Sequence, residues 1–368
     1  MTTPSTKASV SLIVVIGAGA IALLRWKSGF EPHTFPNQGV ESLKQGAAPS
    51  TNAVISTFGR LQNSPRAVDS KRELAELHKI LHAMPSDVAT EWIRSFLASG
   101  KDAITGLSFE PGNDGNLTEW PTFRTFLLDS LSSIDPAAAA NISRDLLKSP
   151  TTADEWALAL RNTGRFDTSP ESLAFLRSKT EELITHPEWQ QAPTAGYLNA
   201  FDVLVFTEAV ESTPLLSELI QRKDRKDLAH AGFLTLDRLV QRKPVEVLQR
   251  LATDSSLRDS RPEMVAQEIA RADLRAPAER AIVKSWLLDP SRTQAELQAF
   301  TSVYPNSNRF VSNNLLSKDS QPTGSEIAAH DRAALLTIRA WLTNPDFIPV
   351  KSDLRVIERR LESFTGGQ

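Results

Sequence analysis

IAAHDRAALLTIRAWL, residues 327–342, decides the fold class. Its apolar residues form two stripes, Ile327/Ala334/Ile338/Trp341 and Leu335/Ile338/Leu342. Such spacing follows the turn of an α-helix and lacks the alternation of a strand. Two stripes on one helix predict that this segment is the most buried of the chain.

The same periodicity extends outward in both directions. Ala229, Gly232, Phe233, Leu236 and Val240 make one stripe, and Leu354, Ile357, Leu361 and Phe364 another. From about Ser70 to Phe364 helical segments alternate with Pro, Gly and Ser/Thr/Asp breaks, and no segment sustains strand-type alternation. Thr152-x-x-Glu155, Ser260-x-x-Glu263, Ser291-x-x-Gln294 and Thr323-x-x-Glu326 have the spacing of a capping box, in which side chains satisfy orphan amides at a helix start. Pro136, Pro170, Pro244 and Pro277 suit a first helical turn, where the missing N–H would be unpaired in any residue. Val283-Lys284-Ser285-Trp286-Leu287 before Asp289-Pro290 is echoed by Ile338-Arg339-Ala340-Trp341-Leu342 before Asn344-Pro345. In each, a helix carrying a Trp ends where proline forbids continuation.

Roughly fourteen or fifteen helices with short connections predict an all-α chain of helical hairpins stacked side by side into a superhelix. At the level of architecture this resembles the α-solenoids of the HEAT, armadillo and tetratricopeptide class. There is no tetratricopeptide consensus or ankyrin Thr-Pro-Leu-His, and the proline spacings are irregular, so a non-repetitive superhelix or a globular bundle stays open.

Before the helical region the organisation is different. Residues 1–9 are a short polar N-terminus. VSLIVVIGAGAIALL, residues 10–24, is apolar and free of charge, with Lys7 before it and Arg25-Trp26-Lys27 after it. Counted from Ala8 to Leu24 it reaches the lower end of the ~17–25 residues a membrane-crossing helix needs, so residues 10–27 are expected to be a transmembrane anchor. A cleavable signal peptide with Ala20-Ile21-Ala22 as its cleavage site is the alternative. Gly17-x-Gly19-x-x-Ala22 also matches a dinucleotide fingerprint, but Gly29, Pro32 and Pro36 leave no room for the helix and strand that would complete the unit. Residues 28–69, punctuated by Pro32, Pro36, Pro49 and Pro65, are expected to be a flexible linker, with Val54 to Phe58 too short to count as a fold. Residues 70–368 are the helical domain.

Composition narrows the chemistry. Net charge is -3 and both signs are mixed along the chain, which argues against a general nucleic-acid surface. Cysteine is absent, which removes disulfides, thiolate nucleophiles and Cys-based zinc or iron–sulfur sites. His78 and His82 have the i, i+4 spacing of two metal ligands, but no third ligand accompanies them, and they lie beside the stripe Leu74/Leu77/Leu81/Met84. His330 and Asp331 fall near an apolar stripe, yet neighbours at i, i+1 do not face each other on a helix. Glu208/Glu211 and Glu181/Glu182 are solvated acids by default, and His186 before Pro187 suits a helix C-terminus. The basic clusters Arg222/Lys223/Arg225/Lys226 and Arg355/Arg359/Arg360 are interrupted by acids. There is no GxSxG, Ser-x-x-Lys or Walker motif, and Asp114-Gly115 lacks the acidic spacing of a calcium loop.

No catalytic, cofactor-binding or metal residue is therefore expected. The longest breaks, Lys101 to Leu117 and Pro305 to Gly324, are where a ligand site would be sought first. The favoured expectation is a membrane-tethered or exported scaffold binding a protein or an envelope polymer without catalysis. Its positive-inside signal is nearly balanced, and export of the domain, periplasmic or extracellular, follows from the anchor-plus-linker layout. The alternative is an all-helical envelope hydrolase acting on polysaccharide or peptide, and a purely structural spacer is the third. A deep cleft with converging acids or a His–acid pair would favour the enzyme.

Overall fold

The computed structural model describes residues 49–63, 66–149 and 151–365. The polar N-terminus, the apolar run at 10–27 and the first part of the linker lie outside the described residues. No helix among the described residues is long and apolar enough to cross a membrane.

The described chain is predominantly helical. Its first helices are α1 (Pro49–Asn63), α2 (Ala67–Ala83) and α3 (Ser86–Ala98), followed by a short ribbon of β1 (Glu110–Pro111) and β2 (Leu117–Glu119). Then come α4 (Phe123–Ile134), α5 (Pro136–Leu146), α6 (Ala153–Phe166), α7 (Pro170–Thr185), α8 (Pro187–Gln191), α9 (Ala195–Ala200) and α10 (Asp202–Phe206). After a 3₁₀ turn at Val210–Ser212 follow α11 (Thr213–Ile220), α12 (Lys226–Arg242), α13 (Pro244–Thr253), α14 (Ser255–Ser260) and α15 (Pro262–Ile269). The last helices are α16 (Pro277–Leu288), α17 (Gln294–Val303), α18 (Gly324–Thr343) and, after a 3₁₀ segment at Pro345–Val350, α19 (Lys351–Thr365).

Packing runs mostly between elements near in sequence, such as α5 with α6, α11 with α12, α15 with α17 and α18 with α19. Among the described residues the antiparallel β1–β2 ribbon and an isolated antiparallel bridge between Ile104 and Thr122 stand outside the all-α pattern. Pro49–Asn63, inside the stretch read as linker, is a helix. It buries Val54, Phe58 and Leu61, and the Phe58 ring lies 5.0 Å from Phe96 and 5.4 Å from Phe123. Its apolar residues are few, and only the partner helices α3 and α4 reveal that they share a face.

The proline signals hold. Pro136, Pro170, Pro244 and Pro277 all stand at the first turn of their helices, as do Pro187 and Pro262. Thr323 and Glu326 form the full reciprocal capping box, and the Thr152 side chain accepts the Glu155 amide. Two expected caps are displaced. Ser260 closes α14 instead of opening α15, and the box assigned to Ser291 belongs to Thr293 and Glu296. Several residues in each window have the right chemistry, and the position of the first helical turn selects among them.

Among the described residues the most buried helix is α6, not α18. In α6 every residue from Ala153 to Gly164 is buried, because α4, α5, α7 and α9 all pack on it. In α18 Ala334, Leu335, Ile338 and Trp341 are buried, but Leu336 is 69% exposed. Both echoed tryptophans, Trp286 and Trp341, are in the core.

Candidate functional site

The segment between α17 and α18, residues 304–323, has no regular secondary structure, yet it is tightly held. We term it the strap. The backbone N–H of Asn306 donates to the Ala270 carbonyl at 2.9 Å, and Arg271 Nη1 donates to the Asn308 carbonyl at 2.5 Å. Further on, buried Asp202 accepts the backbone N–H groups of Leu316 at 2.7 Å and Ser317 at 3.0 Å, and the Ser317 hydroxyl as well. Arg238 on α12 bridges Asp202 and Asp319, each at 2.7 Å, and Arg242 reaches Asp319 at 3.0 Å and the Lys318 carbonyl at 3.1 Å. Leu315 is buried.

The two long breaks singled out in the sequence meet here. Gly115, at φ +76°, packs so closely on the strap that a Cβ would overlap the Leu315 carbonyl oxygen and lie 3.0 Å from that of Asn314. Beneath it, Arg161 is fully buried and donates to the Gly115 carbonyl at 3.0 Å, to Asn162 and to Asp129. Asp129 also accepts the Trp120 indole N–H at 2.7 Å. Each long loop is thus pinned by a buried Arg–Asp pair. Unpaired, either charge would be strongly disfavoured away from water.

Where the strap leaves α17 and enters α18 it lines a polar pocket of about 290 Å³, with Arg271, Asp273, Arg275, Glu279, Arg309 and His330 in its wall. The pocket sits beside the break from Pro305 to Gly324. Asp273 accepts from Arg275 Nη2 at 2.6 Å and from the Arg275 backbone at 2.9 Å, while its own N–H donates to Glu279 Oε2 at 2.7 Å. Burial raises Glu279 above the usual carboxylate range. Burial opposes ionisation of Asp273 too, but the Arg275 hydrogen bonds and the charge of His330 outweigh it and hold Asp273 below that range. Behind the wall, burial and the neighbouring Asp237 push Glu268 up to about 8, and Arg271 joins these two acids. His330 Nε2 lies 3.9 Å from Asp273 and its Nδ1 3.4 Å from Asp331.

The histidine and acid pairs and the basic clusters picked out in the sequence are all engaged within the fold. His78 and His82 stack with ring centroids 4.2 Å apart, and each faces a serine of α4, Ser130 at 3.4 Å and Ser133 at 3.1 Å. Burial, then the neighbouring His82, lowers the His78 imidazole below its usual range. Among the described residues no cluster of three His, Cys, Asp or Glu could hold a metal ion. Glu208 and Glu211 flank a turn and pair with Lys243 at 2.8 Å and Arg177 at 3.0 Å. Glu181 accepts from Ser212 at 2.6 Å and Glu182 from Lys179 at 2.7 Å. His186 stacks on Trp189 at 4.1 Å. In the basic clusters, Arg222 and Arg225 are neutralised by Asp224 and Asp227, and Arg360 donates to the Tyr304 carbonyl at 2.9 Å.

The acids of the pocket are engaged. Asp273 and Glu279 serve the turn between α15 and α16, and Glu326 caps α18. What the arrangement does chemically is hold an irregular chain, through carboxylate to backbone N–H and guanidinium to carbonyl and carboxylate. Asp202, Arg238 and Asp319 were invisible as a group in the sequence, because Asp202 and Ser317 stand 115 positions apart. No protein-family model, curated protein or solved structure matches this chain.

Proposed function

We propose that the protein is a membrane-tethered or exported scaffold, an α-superhelix of stacked helical hairpins, that binds a segment of a partner protein and performs no catalysis. One observation carries this reading. Side chains of α10 and α12 already grip a stretch of polypeptide without regular secondary structure, through its backbone and one carboxylate. Stacked helical arrays present long concave binding surfaces, and a few anchored residues carry most of the binding energy.

A second reading rests on the pocket, where Glu279 is raised and Asp273 lowered beside His330, the pattern of an acid and a base held apart in affinity. It would make the chain an envelope hydrolase. Photo-crosslinking separates the two. A photoreactive residue is placed at Phe310 or Val311, which are 49% and 45% exposed on the strap, in cells making the full chain. The scaffold reading expects a discrete polypeptide adduct. It is overturned if no polypeptide is trapped and the purified chain cleaves envelope polysaccharide or peptide in a manner abolished by E279Q. Protease accessibility of the helical domain in cells with a permeabilised outer barrier, with N-terminal sequencing, tests the tether and its orientation. An expected mature start at Met1 or Thr2 marks an anchor, and a start at Leu23 marks a cleaved signal.

A further inference from the structure

The strap is docked as a ligand would be. Among the backbone–backbone hydrogen bonds of the described residues outside helices and strands, none involves residues 307–322. Every hydrogen bond holding that stretch therefore has a side chain at one end. The Leu316 side chain sits in a hollow that exists because residue 164 is glycine. A Cβ there would lie 2.9 Å from Leu316 Cδ1 and 3.2 Å from Leu176 and Phe206, so α6, α7 and α10 together form a seat for one leucine. One turn further the Arg238 and Arg242 guanidiniums receive a carboxylate.

The strap is also built to leave as a unit. Its base is closed by Gln321 Nε2 donating to the Arg309 carbonyl at 2.5 Å and Arg309 Nη1 donating to the Ser320 carbonyl at 3.3 Å, both exposed. Departure of the part beyond that closure leaves α17 and α18 intact, since the Tyr304 amide closes the last turn of α17 on the Phe300 carbonyl and α18 has its own capping box at Thr323. Loops of this length without secondary structure are commonly functional.

We propose that the face formed by α6, α10 and α12 is a receptor for a polypeptide segment of a partner protein that carries a leucine and, three residues later, a carboxylate, and that residues 314–319 are its built-in occupant, displaced when the partner binds. This rests on the scaffold reading and names its partner's chemistry: a leucine for the Gly164 hollow, two backbone N–H groups for Asp202, and a carboxylate two residues later for Arg238 and Arg242. The strap competes at the high effective concentration of a tethered segment, so free peptide gains access only when the strap's own anchors are weakened.

The test uses the full chain and a fluorescein-labelled peptide, SNNLLSKDSQ, copied from residues 312–321. Fluorescence anisotropy is expected to show at least tenfold tighter binding to the L316S/D319K chain than to the unaltered one. Binding to the altered chain is expected to fall at least tenfold when the peptide itself carries D319K. Equal binding to both chains, or none to an altered chain with unchanged circular dichroism, overturns the proposal. So does a fall from dimer to monomer mass on weakening the strap, which would make a second copy the occupant. Should the altered chain fail to fold, hydrogen exchange of the unaltered chain decides. Leu316 and Ser317 amides exchanging at least tenfold faster than buried amides of α6 and α12, independently of low denaturant, support a detachable strap; exchange through global unfolding alone overturns it. A strap that never detaches refutes this inference and leaves the crosslinking test of the scaffold reading intact.

Discussion

Replacing Asp202 with alanine removes the acceptor of two strap amides and the Ser317 hydroxyl, and one of two carboxylates on Arg238. Asp202 and Arg238 are both buried. Breaking a buried ion pair by deleting one partner costs ~3–5 kcal/mol. Arg238 keeps Asp319 at 2.7 Å, so the lower end applies. The freed amides rehydrate if the strap lifts, so their desolvation does not add in full. The net expectation is about 3 kcal/mol against the docked strap, or about a hundredfold in its opening equilibrium. D202N keeps an acceptor but loses the charge, and should cost about half as much. A long helical array need not unfold in one step, so the assay is local: amide exchange at Leu316 and Ser317, with α6 and α12 amides as reference. Acceleration of less than threefold in D202A, with unchanged helix protection, would refute the claim that this buried pair holds the strap.

Other expectations follow from the same geometry. Burial, against hydrogen bonds from the Arg124 and Ala103 amides and beside the charge of Glu155, raises Asp102 to about 6. Because the folded state keeps this proton longer than the unfolded chain, stability falls as pH rises from about 4 to about 6, by roughly 2–3 kcal/mol. In D102N a denaturation series across that window should be flatter, and an unchanged slope would count against the assignment. Gly115 and Gly100 both have positive φ, but nothing stands within 4 Å of a Cβ at Gly100. G100A should lose only the ~1–2 kcal/mol of a left-handed non-glycine residue, and G115A should lose more because Leu315 must move, as read by thermal denaturation. R161A strands buried Asp129 and is expected to cost ~3–5 kcal/mol, with R161K only partly restoring stability because the planar fork onto Asp129 and Asn162 is lost.

Much of the fold was legible because its signals are local. First-turn prolines at 136, 170, 244 and 277, the Thr323/Glu326 box and the stripe Leu354/Ile357/Leu361 each depend on residues within one or two helical turns. The choice between Ser291 and Thr293 as cap, and the burial rank of α6 over α18, were not local. Both depend on which neighbours arrive, and apolar spacing within one helix carries no record of its partners.

For the site the division is sharper. By itself the sequence determined an all-helical chain, the absence of cysteine chemistry, and the two long breaks where function would be sought. Only the tertiary structure decided that those breaks touch at Gly115 and Leu315, and that Asp202, Arg238 and Asp319 form one grip on the strap. The physical reason is that helix formation is written in spacings of three and four residues, whereas a buried charge is tolerated only beside a partner brought in by folding, here from 36 and 81 positions away.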